Sequence, residues 1–113
     1  MLKYFSCFKG KNALIYAAER GDLDLVKIMV NHKANTEFIN KENKNALFYA
    51  IDNKENKESL EIIKILAPLS NVDVISKEGD TPLTKAVERQ LIQIVEVLLE
   101  NNANPNIKNL KNS

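Results

Sequence analysis

Two kinds of apolar block alternate along this chain, separated by polar stretches. The first kind is short and holds small residues: Asn12-Ala13-Leu14-Ile15-Tyr16-Ala17-Ala18, Asn45-Ala46-Leu47-Phe48-Tyr49-Ala50-Ile51 and Thr81-Pro82-Leu83-Thr84-Lys85-Ala86-Val87. The second follows each of these: Leu23-Asp24-Leu25-Val26-Lys27-Ile28-Met29, Leu60-Glu61-Ile62-Ile63-Lys64-Ile65-Leu66 and Ile92-Gln93-Ile94-Val95-Glu96-Val97-Leu98. A polar tail ending in asparagine recurs as Lys33-Ala34-Asn35 and Asn102-Ala103-Asn104. Each unit therefore predicts a short helix, a turn, a longer helix and an extended loop. Asn12, Asn45 and Thr81 are suited to cap the short helices, because each offers a side-chain oxygen to the free amides of a first turn. Pro82 fits the first helical position, where a missing N–H does no harm.

The anchors of the three units lie 33 and then 36 residues apart, a period typical of repeat arrays. The excess belongs to the middle unit. Leu60 follows its anchor by 15 residues, whereas Leu23 and Ile92 follow theirs by 11, so four extra residues fall within 53–58 between two helices. One residue is then missing before Thr81. A charged insertion at a surface turn costs little closure entropy. In the second helices the polar positions are Asp24, Lys27 and Asn31, then Glu61 and Lys64, then Gln93, Glu96 and Glu100. Spacings of three and four place these on one narrow wet stripe of an otherwise apolar helix. Such a helix must be covered on most of its sides, and stacked neighbours of the same kind can cover it. Ala17, Ala18, Ala50 and Ala86 allow the close approach this needs. The reading is an all-α solenoid of about three helix-turn-helix units, approximately 8–40, 41–76 and 77–109, forming a single domain over 1–113.

These residues resemble the ankyrin repeat, whose pattern is roughly D-x-x-G-x-T-P-L-H-x-A-A-x-x-G-H-L-E-I-V-x-L-L-L-x-x-G-A-D. The nearest match is Thr81-Pro82-Leu83 preceded by Gly79; Gly10 and Gly21 match the glycines of the first unit, and Leu25-Val26-Lys27 and Ile94-Val95-Glu96 match the second-helix core. The departures are specific. Ile15, Phe48 and Thr84 replace the family's histidine, so its hydrogen bonds near the hairpin are expected to be absent. Ala13 and Ala46 replace proline, and Gln90 replaces the glycine between the helices of the third unit. The middle unit is expected to be the least regular. The resemblance implies hairpin loops between the units, and a concave face made of hairpin tips and the exposed ends of the first helices. Mapped onto this chain, the tips are Lys41, Glu42 and Lys44, then Lys77, Glu78 and Asp80, with Phe8, Lys9 and Lys11 at a first half-tip. The helix ends are Glu19 and Arg20, Asp52 and Asn53, Glu88 and Arg89. These positions are free of core duty, and mixed charge there favours selective pairing with a polypeptide. Arg20, Glu42, Lys44, Asp80 and Arg89 are the leading contacts, and reversing Arg20 and Arg89 together is expected to weaken a partner without lowering the melting temperature.

Composition narrows the alternatives. The 113 residues carry 16 lysines and arginines against 15 aspartates and glutamates, a net charge of +1, which argues against a dedicated nucleic-acid arm or membrane-surface patch. Lysine outnumbers arginine 14 to 2, and arginine is the better fork for phosphates and base edges. Weak nucleic-acid binding through Lys3, Lys9, Lys11, Lys41 and Lys44 is a minor alternative. The single Cys7 forms neither an intrachain disulfide nor a cysteine zinc cage, which points to a reducing compartment, cytoplasmic or nuclear. With His32 the only imidazole, most nucleophile–base and metal constellations are excluded by count, and no phosphate loop occurs. His32 reads as a solvated helix-end residue and Cys7 as a small apolar one. The carboxylates, Asp22, Asp24, Glu55, Glu58 and Glu61 among them, read as solvated faces. No enzyme activity, cofactor, metal or small-molecule substrate is expected. Met1 to Phe8 lacks the apolar core of a signal peptide, and no stretch is long and apolar enough to span a membrane. Residues 101–113 read as the loop towards a fourth repeat. Hence a second alternative: a structural piece of a longer array, self-associating end to end through an uncapped third unit.

Overall fold

Helix pairs follow one another in the order the repeats predict. The computed structural model describes residues 13–52 and 58–106, and among these the regular elements are helical. The first pair is α1 (Ala13–Arg20) and α2 (Leu23–Asn31). The second is α3 (Ala46–Asp52) and α4 (Ser59–Leu66), extended by a 3-10 turn over Ala67–Leu69. The third is α5 (Pro82–Glu88) and α6 (Ile92–Glu100). The short helices stack α1 on α3 on α5, and the long ones α2 on α4 on α6, each also packing on its own partner. The molecule measures 42 × 26 × 24 Å. The inserted stretch lies between the end of α3 and the start of α4; its residues 53–57 lie outside the described residues, as do Asn12 and the first half-tip.

The stack is held by one continuous core. Leu14, Ile15, Leu47, Phe48, Ile51, Ile62, Ile63, Leu66 and Leu98 are fully buried, and Ala17, Ala18, Ala50 and Ala86 have no exposed surface at all. With only a methyl group at those alanine positions, the short helices approach closely enough to share that core. The polar stripe of the long helices faces water: Asp24, Lys27, Asn31, Glu61, Lys64, Gln93, Glu96 and Glu100 are all exposed.

Caps fix where the helices start. Asn45 Oδ1 accepts from Phe48 N at 3.0 Å, while its Nδ2 donates to Asn71 O at 3.1 Å, so one buried side chain caps α3 and ties it to the loop beyond α4. Thr81 and Thr84 form a capping box on α5, with Thr84 N donating to Thr81 Oγ1 at 3.1 Å and Thr81 N to Thr84 Oγ1 at 2.8 Å. At the family's histidine position Ile15 and Phe48 place buried apolar side chains, which can neither donate nor accept, whereas Thr84 makes the bonds of the capping box. Asp22, read as a surface carboxylate, caps α2 by accepting from Leu25 N at 3.1 Å.

The turn between helices needs one left-handed residue. Gly21 supplies it in the first pair at φ 71°, and Gln90 in the third at φ 58°, with the same backbone bonds around them. After α2 and α6 the left-handed position is filled by Lys33 and Asn102. The middle unit lacks that residue, and the 3-10 turn through Pro68 takes its place. The stretch one residue shorter thus goes with a different mode of helix termination. The register then recovers at Asn35, Asn71 and Asn104, each of which accepts from the amide two residues on.

Two stability measurements follow from these local geometries. Gln90→Gly removes a left-handed penalty of roughly 1 kcal/mol, partly offset by greater freedom in the unfolded chain. A net gain of about 0.5 kcal/mol, some 2 °C in the thermal midpoint, is expected by calorimetry. Asn45→Ala loses the cap and strands a buried network, lowering stability by about 1–3 kcal/mol. Asn45→Thr keeps the cap oxygen and should recover part of that loss.

Candidate functional site

The hairpin loops bring the tips of successive repeats side by side. Each tip is a tight turn, Asn40–Asn43 and Ser76–Gly79, closed by hydrogen bonds from Asn43 N to Asn40 O at 2.9 Å and from Gly79 N to Ser76 O at 2.9 Å. The turns require positive φ at their fourth residue, met by Asn43 and by Gly79. A side chain at the head of each turn holds its far end: Asn40 Oδ1 accepts from Lys44 N at 3.0 Å, and Ser76 Oγ from Asp80 N at 3.2 Å. Asn40 and Ser76 occupy the place of the leading aspartate in the family pattern, and their role was legible only once the turn was visible. Lys77 N donates to Glu42 O at 3.0 Å, locking one tip to the next.

Electrostatics at the tips centre on Lys44. Its Nζ lies 3.5 Å from Glu42 and 3.7 Å from Glu78, with the side chain only 12% exposed. The ammonium also sits 5.3 Å from the Phe48 ring centre and 5.8 Å from that of Tyr49. Glu42, Lys44, Lys77 and Glu78 line a cleft of about 160 Å³. Lys41, Glu42, Lys77 and Glu78 are exposed. Asp80 is not: it is wholly buried, with Lys85 Nζ 3.9 Å from Oδ2. The sequence suggested a tip contact; the structure gives Asp80 the work of holding Lys85.

The helix ends form the second set. Arg20 and Glu88 are exposed, and Glu19, Asp52 and Arg89 are partly so. Arg20 donates to Tyr16 Oη at 3.3 Å and lies over the Tyr16 ring at 5.3 Å. Arg89 Nη1 donates to the carbonyl of Ile51, near the end of α3, and so joins the third repeat to the second. Reversing Arg89 would therefore remove a structural bond as well as a surface charge. The expectation that an Arg20 and Arg89 double reversal spares stability is corrected on that ground. Asn53, Phe8, Lys9 and Lys11 lie outside the described residues.

Sequence reasoning passed over a third set. Tyr16, Tyr49 and Lys85 occupy one equivalent position of the three short helices and are all partly exposed. They lie three and four residues before the helix-end charges, hence on the same helix face. Tyr49 Oη accepts from Asn40 Nδ2 at 2.7 Å, which links that face to the tip. The signal was present in the aligned blocks, where Tyr16 and Tyr49 coincide. Ile39 and Ile75, each the residue before a tip, are also exposed at matching positions.

His32 is exposed at the end of α2. Among the described residues no three His, Cys, Asp or Glu side chains come together as metal ligands, and no helix is long and apolar enough to cross a membrane.

Comparison with known proteins agrees with the stack. The family model for ankyrin repeats (3 copies) matches residues 2–76 and 56–109. The chain is 34% identical over 98 residues to an ankyrin repeat protein of Fowlpox virus, covering 87% of this chain and 16% of that protein. It is 35% identical over 95 residues to a BTB/POZ domain and ankyrin repeat-containing protein of Oryza sativa subsp. japonica, covering 81% of this chain and 17% of the relative. This chain spans less than a fifth of the length of such curated relatives. Among solved structures, an ankyrin repeat domain from Acinetobacter baumannii superposes with TM-score 0.79 at 31% identity, over 84% of this chain and 50% of that one. The human ASB11 ankyrin repeat domain superposes with TM-score 0.77 at 23% identity, over 87% and 43%. Three stacked helix pairs, the repeating caps and turns, and these matches together establish that the chain belongs to the ankyrin repeat family.

Proposed function

We propose that this chain is a non-catalytic binding module that takes a polypeptide partner along the face built by its hairpin tips and short helices. Ankyrin repeats are generally protein interaction modules. The observation that carries the reading for this chain is the row of Tyr16, Tyr49 and Lys85, partly exposed at one repeat position and bordered by charges of both signs. Tyrosine and arginine are the side chains that most often anchor protein interfaces, because they combine large contact area with directed hydrogen bonds. Arg20 lies against Tyr16 and Lys44 against Tyr49, so a cation backs the ring in each of two successive repeats. Glu19, Glu42, Asp52, Glu78, Glu88, Lys41 and Lys77 form the charged border, which selects among partners and steers their approach. Asp80 and Arg89 act from behind this face, by holding Lys85 and the end of α3. The proposed setting is the cytoplasm or nucleus, where such a module would serve as a scaffold.

Nucleic-acid binding fares worse. Lys44, one of its five lysines, is nearly buried and shared between Glu42 and Glu78, so it offers little free charge to a phosphate. End-to-end stacking of repeat arrays has a specific observation in its favour, the exposure of Val87 on the last short helix.

The binding test uses the exposed cations Arg20 and Lys77. Proteins retained by the native chain are identified, and the Arg20→Glu, Lys77→Glu double variant is titrated against each. Affinity should fall about tenfold or more, as for loss of an interface anchor, with the thermal midpoint unchanged. Equal affinity for every retained polypeptide would move the site off this face.

A further inference from the structure

The same repeat positions are better covered inside the stack than at its ends. Ala18 and Ile51 face the following repeat and are essentially inaccessible, at 0% and 1% exposed, whereas their counterpart Val87 in the third repeat is 57% exposed. Val26 and Ile63 are fully buried while Val95 is only partly covered; Ala67 is buried while Leu99 is exposed. The opposite end shows the complementary change. Val97 faces the preceding repeat and is 7% exposed, but its counterpart Ile28 in the first repeat is 56% exposed. Leu66 and Leu98 are buried, and their counterpart Met29 is partly open. Val87, Val95 and Leu99 are thus the equivalents of one half of the internal joint, and Leu25, Ile28 and Met29 of the other. Among the described residues, nothing covers either half.

We infer that a second copy of this chain docks head to tail, its Leu25–Ile28–Met29 face seated on the Val87–Val95–Leu99 face of the first. This rests on the end-to-end reading above and names its partner and geometry; it does not depend on the tyrosine face. Such docking continues a joint the chain already makes twice, between its first and second and its second and third repeats. The long helices α2 and α6 that bear the two halves are each nine residues, and α4 already packs between helices of these kinds. A tail-to-tail pair has no such precedent, because it would set like halves against each other. A head-to-tail contact uses two different surfaces, so each added copy exposes a fresh half, and growth is open-ended.

The test is sedimentation velocity on the full chain over a wide concentration range, with Ile28→Glu and Val87→Glu variants. The native chain should form a ladder of species that lengthens with concentration. Each variant alone should stop at the monomer, and an equal mixture should give one discrete pair, since each variant keeps one sound half. At dilutions where every form is monomeric, the thermal midpoints should agree. Ile28→Ser and Val87→Ser replace the charged variants if either loses native helicity. A native chain that stays monomeric throughout overturns both the inference and the end-to-end reading. Pairing by Ile28→Glu alone keeps end-to-end stacking and overturns the head-to-tail geometry, as does a mixture that stays apart. A Val87→Glu monomer that melts well below the native one assigns that face to the chain's own C-terminal residues, and likewise overturns the inference.

Discussion

Helices of seven to nine residues are too short to persist alone in water, and the burial between neighbouring pairs is what makes them stable. Everything in this molecule follows from that dependence. The short helices present alanine to each other because a larger side chain there would separate them. The long helices keep only a narrow polar stripe because the remainder of their surface must be covered. Phe48, Ile51 and Ile63 lie at the centre because the middle pair alone has a described neighbour on both sides.

Polar chemistry is used for alignment. Asn45, Thr81 and Asp22 start helices; Asn35, Asn71 and Asn104 restart the chain after each pair. Bonds such as Lys77 N to Glu42 O and Thr36 Oγ1 to Leu69 O at 2.8 Å then join points about one period apart. A repeat array contacts itself only through nearest neighbours. Such cross-links therefore set the spacing of consecutive tips, and with it the surface a partner would meet.

The same logic separates residues that bear charge for the surface from those that bear it for the stack. Lys44 and Asp80 hold equivalent positions before the caps of α3 and α5 and carry opposite signs. One lies over two aromatic rings between two carboxylates, and the other is buried beside Lys85. Arg20 and Arg89 are likewise equivalent, yet Arg20 stays on its own helix while Arg89 reaches the preceding repeat. Position in the repeat places a side chain on a face; its neighbours decide whether it is available there.

The period, the caps at Asn45 and Thr81, the wet stripe and the charged insertion were all written in the order of residues, because they depend on local backbone geometry and on an apolar period. So was the identity of the tip residues Lys41, Glu42, Lys77 and Glu78. The burial of Asp80, the reach of Arg89, the tyrosine row and the 3-10 turn that absorbs one missing residue were not. Each depends on which residue of a neighbouring repeat stands opposite. That distance spans some 30 residues of chain and is fixed only when the helices stack.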